Sequence, residues 1–233
     1  MPAAGVSLVL LPALLCDVEL YSLQIAAIAD LAEPLVLTAA EADLAKSAQR
    51  VLERAPARFA LAGTSAGGNL ALEVLAAAPA RVIGLWLTGV NPGAHADPSG
   101  ARRLSERVRV GEFDAVVEEL AARCIHAAGP RAAEALATVR RMAWRFGPEA
   151  FLRWNDALIA RRDRRDVLGT FRAPTLLLWG RHDAFVSADR AAALAAAIST
   201  TRLVVLESSG HLPTLEQPDQ ATQAVRAWLS SVR

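Results

Sequence analysis

Six short apolar runs, separated by longer stretches of helical periodicity, narrow what this chain can fold into more than any other feature. They cover residues 7–12, 34–38, 58–63, 81–90, 175–180 and 202–207. They read apolar throughout rather than alternating, as strands buried on both faces do. Helical patterns lie at residues 19–29, 43–54, 66–78, 187–198 and 218–229. In the last, Ala221, Val225, Trp228 and Leu229 share one face at three- and four-residue spacing, and Pro218 suits the first turn. Strands alternating with helices specify right-handed crossovers. The expectation is an α/β fold: a mostly parallel six-stranded sheet flanked by helices.

The rhythm breaks between residues 91 and 172, where no convincing strand occurs. Helical patterns at residues 101–110, 113–126, 131–146 and 149–160 are punctuated by Gly129-Pro130 and Gly147-Pro148. This predicts a helical insertion, residues 94–172, in a core domain made of residues 1–93 and 173–233.

Composition removes several function classes. The 25 basic and 24 acidic residues leave a net charge of +1, without the basic stripe that nucleic acid would require. The apolar segment at residues 6–16 has no basic leader and no small-residue cleavage pattern. It is also far shorter than the roughly 20 residues that span a bilayer. A buried strand, a cytoplasmic setting and no membrane partner are expected. The 2 cysteines, Cys16 and Cys124, form no CxxC pair and cannot supply a four-ligand zinc site. Reduced thiols and no metal are expected.

Gly63-Thr64-Ser65-Ala66-Gly67-Gly68 falls where the third run meets a helix. A serine at the tip of such a turn needs small neighbours two residues before and after it, which Gly63 and Gly67 supply. The Ala66 N–H, at a helix N-terminus, suits an oxyanion. A nucleophilic serine needs a base, and the base needs an orienting acid. His211 follows the sixth run, at the same sheet edge as Ser65. His95 and His126 belong to the insertion, and His182 adjoins the acid candidate. Asp183 follows the fifth run. Asp189 falls on the following helix, and Glu207 sits too close to the base to reach its far nitrogen.

The elbow GTSAGG, the acid loop WGRHDAF, the base loop SSGHLPTLEQP and the first-strand segment LVLLPALLCD occur in order, each with its own strand. Together they resemble the α/β-hydrolase fold family, in its group of small capped serine hydrolases. The resemblance implies a triad of Ser65, Asp183 and His211, a helical cap, and no cofactor. It implies a second oxyanion donor just after the first strand, at Leu14 with Leu15 as the alternative. Pro12-Ala13 stands where the family often has His-Gly, and Ala13 leaves the backbone less free. Ala66 stands where Met is common, which should widen the pocket. The family's N-terminal antiparallel strands are expected to be missing.

Candidate pocket residues are Leu15, Asn91, Trp144 and Trp154. Asn91 also reads, more simply, as a turn residue with Pro92-Gly93, and the tryptophans as anchors of cap helices to each other or to the sheet domain. Cys16 reads as a small packing residue. From residue 97 to 172 there are 15 Arg against 11 acidic residues, an excess that could attract a substrate carboxylate. However, Arg161, Arg162, Arg164 and Arg165 read as a solvated helix end. The expected activity is hydrolysis of a carboxylic ester, or less readily an amide or thioester, of a small molecule with an apolar acyl or aryl part. The alternatives are a carbon–carbon bond hydrolase or lyase, and a non-catalytic binding protein. The sequence does not set the oligomeric state.

Overall fold

The apolar runs become one sheet. The computed structural model describes residues 5–38 and 41–232. The first half of the chain forms β1 (Val6–Leu11), α1 (Ser22–Ala27), β2 (Ala32–Val36), α2 (Leu44–Arg54), β3 (Phe59–Thr64), α3 (Ala66–Ala77) and β4 (Val82–Thr88). Five helices follow: α4 (Ser99–Arg109), α5 (Phe113–Cys124), α6 (Ala132–Phe146), α7 (Pro148–Ile159) and α8 (Arg165–Thr170). The chain then returns as β5 (Thr175–Gly180), α9 (Ala188–Ala196), β6 (Thr201–Leu206), α10 (Pro213–Glu216) and α11 (Pro218–Leu229).

The strand order is β2-β1-β3-β4-β5-β6. Every neighbouring pair is parallel, so the described sheet is all-parallel rather than mostly so. Alternate residues of one strand feed opposite cores. Leu8, Leu10, Ala60, Ala62 and Trp86 pack with Val225 and Trp228 of α11. Val9, Leu11, Phe59, Leu61 and Leu85 pack with Val51 of α2 and Leu70 and Val74 of α3. Burial on both faces is the reason the runs lack alternation.

The first helical pattern splits. Val18–Tyr21 forms a 3-10 turn before α1. The break falls at Tyr21, which is fully buried with its hydroxyl bonded to Leu11 and Thr64. That anchorage overrides the periodicity. The helices α8 and α10 were not predicted; both are very short.

Residues 94–172 contain helices and no described strand. There α4 packs on α7, and α5 on α6. A third core of Val108, Val116, Val117, Ala143 and Phe151 closes on Leu15, from the turn after β1. The expected solvated helix end holds for Arg162 and Arg165, which are exposed. Arg164 differs: its Nε and Nη2 grip Glu73 of α3 at 2.9 and 2.7 Å. Arg161 is half-buried and donates to the carbonyls of Gly93 and Leu158. No described helix is long and apolar enough to cross a membrane.

Candidate active site

Because the strands are parallel, the segments after β1, β3, β5 and β6 emerge at one edge. Ser65 sits between β3 and α3 with φ 54° and ψ −114°. Such a conformation costs a residue with a Cβ on the order of 1–3 kcal/mol. It is held by the Ser65 N–H, which donates to the Thr88 carbonyl at 2.7 Å, and by the Ser65 carbonyl, which accepts the Asn69 N–H at 3.1 Å. The flanking glycines are required by close approach. A Cβ on Gly63 would lie 2.5 Å from the Gly67 carbonyl oxygen. One on Gly67 would lie 2.0 Å from the Leu11 carbonyl oxygen, so this glycine makes room for the end of β1. Ala66 opens α3, so its N–H has no intrahelical acceptor.

The facing turn is residues 13–16, closed by the Cys16 N–H on the Ala13 carbonyl at 3.0 Å. Its strained position is Leu15, with φ 61°, and not Ala13. The missing glycine at residue 13 therefore costs nothing. A left-handed Leu costs roughly 1–2 kcal/mol. Burying its side chain returns about 1.5–3 kcal/mol, and Leu15 is 4% exposed. The N–H groups of Leu14 and Leu15 have no acceptor among the described residues.

His211 is buried, and its Nδ1 lies 2.8 Å from Asp183 Oδ2. Asp183 Oδ1 accepts the N–H groups of Phe185 and Val186 at 2.8 and 3.0 Å. With the carboxylate acting as acceptor, the proton belongs on Nδ1 and Nε2 carries the free lone pair. Ser65 and His211 line the same cavity. No hydrogen bond joins them in this structure; apo sites commonly hold this pair loosely. Asp189 is exposed on α9, and Glu207 pairs with Arg181 at 2.7 Å. His182 is exposed and stacks on His126, with ring centroids 3.8 Å apart. The His95 imidazole is pushed below its ordinary range, first by burial and then by Arg161.

The cavity has a volume of about 80 Å³. Leu14, Leu15, Val117, Leu120, Val139, Ala143, Phe185 and Leu212 give it an apolar wall. Cys16 and Cys124 also line it. Burial pushes the Cys124 thiol up to about 12 and raises that of Cys16 well above its ordinary value. Both stay protonated near neutral pH and make poor nucleophiles. A larger open groove of about 830 Å³ lies at the opposite edge of the sheet, but it contains no histidine.

Three expected pocket residues do not line the cavity. Trp144 is 51% exposed on the outer face of α6. Trp154 is buried against Phe146, with ring centroids 6.1 Å apart. Asn91 closes its own turn, Oδ1 accepting the Gly93 N–H at 3.1 Å. Helix packing decides which face of α6 or α7 turns inward, and the tryptophans fall on the wrong ones. The arginine excess is also spent elsewhere. Arg107, Arg140, Arg141 and Arg145 pair with Glu112, Glu118, Glu19 and Asp17, and no arginine lines the cavity.

Sequence reasoning missed two supports. Tyr21, the only tyrosine, donates its hydroxyl to the Leu11 carbonyl at 3.0 Å and meets Thr64 Oγ1 at 2.8 Å. It thus ties the end of β1 to the residue before Ser65. Gly89 has φ 59°, and a Cβ there would stand 2.5 Å from His211 Cε1. A glycine near the end of the fourth apolar run, residues 81–90, was the available signal.

The sequence matches the Alpha/beta hydrolase family over residues 9–224. The chain belongs to the α/β-hydrolase family. It is therefore placed among hydrolase enzymes. Among curated proteins, this α/β-hydrolase is 26% identical over 182 residues to pimeloyl-(acyl-carrier protein) methyl ester esterase of Nitrosospira multiformis, covering 74% of this chain and 68% of that protein. Among solved structures it resembles a thermophilic esterase from Thermogutta terrifontis, with a TM-score of 0.87 and 24% identity, covering 98% of this chain and 90% of that one. It also resembles the enol-lactonase from Burkholderia xenovorans LB400, with a TM-score of 0.87 and 21% identity, covering 98% and 92%. At such identities these two structures bear on the fold alone.

Proposed function

We propose that this α/β-hydrolase cleaves the carboxylic ester of a small molecule with a neutral, apolar acyl or aryl part. The observation that carries the reading is a serine in a strained elbow sharing an apolar cavity with a histidine whose Nδ1 is bonded to a buried aspartate. The methyl ester esterase relative supports the choice of bond.

Ser65 Oγ attacks the carbonyl carbon as His211 Nε2 takes the hydroxyl proton. Asp183 orients the ring and stabilises the imidazolium. The N–H groups of Ala66 and Leu14 hold the oxyanion. The intermediate collapses to an acyl-serine, and the leaving alcohol takes the proton from Nε2. Water, deprotonated by the same nitrogen, then releases the acid. This chemistry calls on no metal or organic cofactor. Residues 94–172 serve as the cap, since α5 and α6 supply much of the cavity wall. Two free thiols fit a cytoplasmic setting.

A panel of aryl esters of graded acyl length, run beside Ser65→Ala, tests this. Turnover should be highest for short neutral acyl groups, fall as the chain outgrows the cavity, and vanish in the variant. Ester turnover that survives Ser65→Ala would overturn the mechanism. Tight ligand binding without turnover would point to a binding protein.

A further inference from the structure

The loop carrying His211 is gripped by a carboxylate that the proposed reaction does not use. Glu216, in α10, is 1% exposed. Its Oε2 accepts the N–H groups of Gly210 and His126, both at 2.8 Å. Its Oε1 accepts the Leu212 N–H at 3.1 Å and the Ser209 hydroxyl at 3.3 Å. Four donors converging on two oxygens call for a group that accepts at every lone pair, which a carboxylate does. An amide in its place would turn its own N–H bonds toward some of those donors. An apolar residue would leave three N–H groups unpartnered, two of them, on Gly210 and Leu212, buried.

Ser209, Gly210 and Leu212 flank His211 in the chain. His126 comes from the segment after α5, in the insertion. A second bond crosses the same joint: the His211 N–H donates to the Cys124 carbonyl at 2.7 Å. The contact leaves no slack, because a Cβ on Gly210 would stand 2.7 Å from the Cys124 oxygen and 2.9 Å from the His126 nitrogen. Asp183 fixes the ring of His211. Glu216 and the end of α5 fix the backbone on both sides of it.

We propose that Glu216 is a positioning residue for His211, and that through it the end of α5 is part of the mounting of the base and not a freely moving lid. The proposal rests on His211 being the base. Displacing this end of the insertion should therefore move the imidazole.

Two variants test the joint from opposite sides. Glu216→Gln replaces one of the two accepting oxygens with an NH2 donor, whereas Gly210→Ala forces the loop off α5 and leaves Glu216 intact. In each, kcat on a short aryl ester should fall about 10²-fold, the scale of a misplaced catalytic group, with KM near wild type. The low-field NMR resonance of the His211 Nδ1 proton should shift or broaden. A lower Tm with kcat and that resonance unchanged, in either folded variant, overturns the proposal. Should neither variant fold, hydrogen exchange on the wild type decides. The amides of His126, Gly210 and Leu212 should open in one cooperative step, and independent opening overturns the proposal. If the wild type itself turns over no ester, the hydrolase reading has failed, and the resonance and the exchange still test the positioning.

Discussion

A serine hydroxyl becomes a nucleophile only when its proton has somewhere to go as the new bond forms. If Ser65 and His211 supply the two halves of that event, they should not act independently. Alanine at either position should cost several orders of magnitude in kcat, and the double change little more than one alone. Additive losses in the double-mutant cycle would contradict the account. Asp183→Asn keeps the shape but presents the wrong hydrogen-bonding partner to Nδ1, so it too should lose orders of magnitude. Asp183 and His211, the proposed acid and base, could be picked out in the sequence because each follows its own apolar run. The turn after β1 was only partly legible. Positive φ at a leucine has no local signature, and the cause is tertiary: Leu15 is pulled into the insertion's apolar core.

The same distinction governs the elements. Parallel strands could be read because burial on both faces writes an unbroken apolar run. The insertion's helices could be read as well, but not which face of each turns inward. Trp144 and Trp154 show the difference, one on the outside and one in a packing cluster, while the smaller Val117, Val139 and Ala143 form the wall. Enlarging Ala143 to Leu should therefore shift the ester panel toward shorter acyl groups at little cost in Tm. Trp154→Ala should cost about 3–5 kcal/mol of stability through a cavity and leave the acyl preference unchanged. Measuring both quantities for both variants separates wall from packing. A changed acyl profile in Trp154→Ala alone would reverse the assignment.

Among the described residues, burial holds the thiols of Cys16 and Cys124 and the hydroxyl of Tyr21 in their neutral forms. Cys16 and Tyr21 are 2% and 0% exposed, and burial is the main cause raising both pKa values. In the unfolded chain they titrate near about 8.5 and 10. Above those values the unfolded state has lost protons that the folded state retains, so stability falls with rising pH. The contribution is fully present below pH of about 8.5. Above its own unfolded value, each group should remove roughly 1.4 kcal/mol per pH unit. Denaturant melts across that range should show the decline, and Cys16→Ala should flatten its first part; equal slopes would contradict the burial argument. The claim on which everything else depends is that Ser65 is activated in the free protein. A small fluorophosphonate probe tests it without knowledge of the substrate. Peptide mass spectrometry should find one adduct, on Ser65, that is lost in Ser65→Ala and strongly slowed in His211→Ala. Ser65 reacting no faster than the chain's other 11 serines in folded protein would contradict the account.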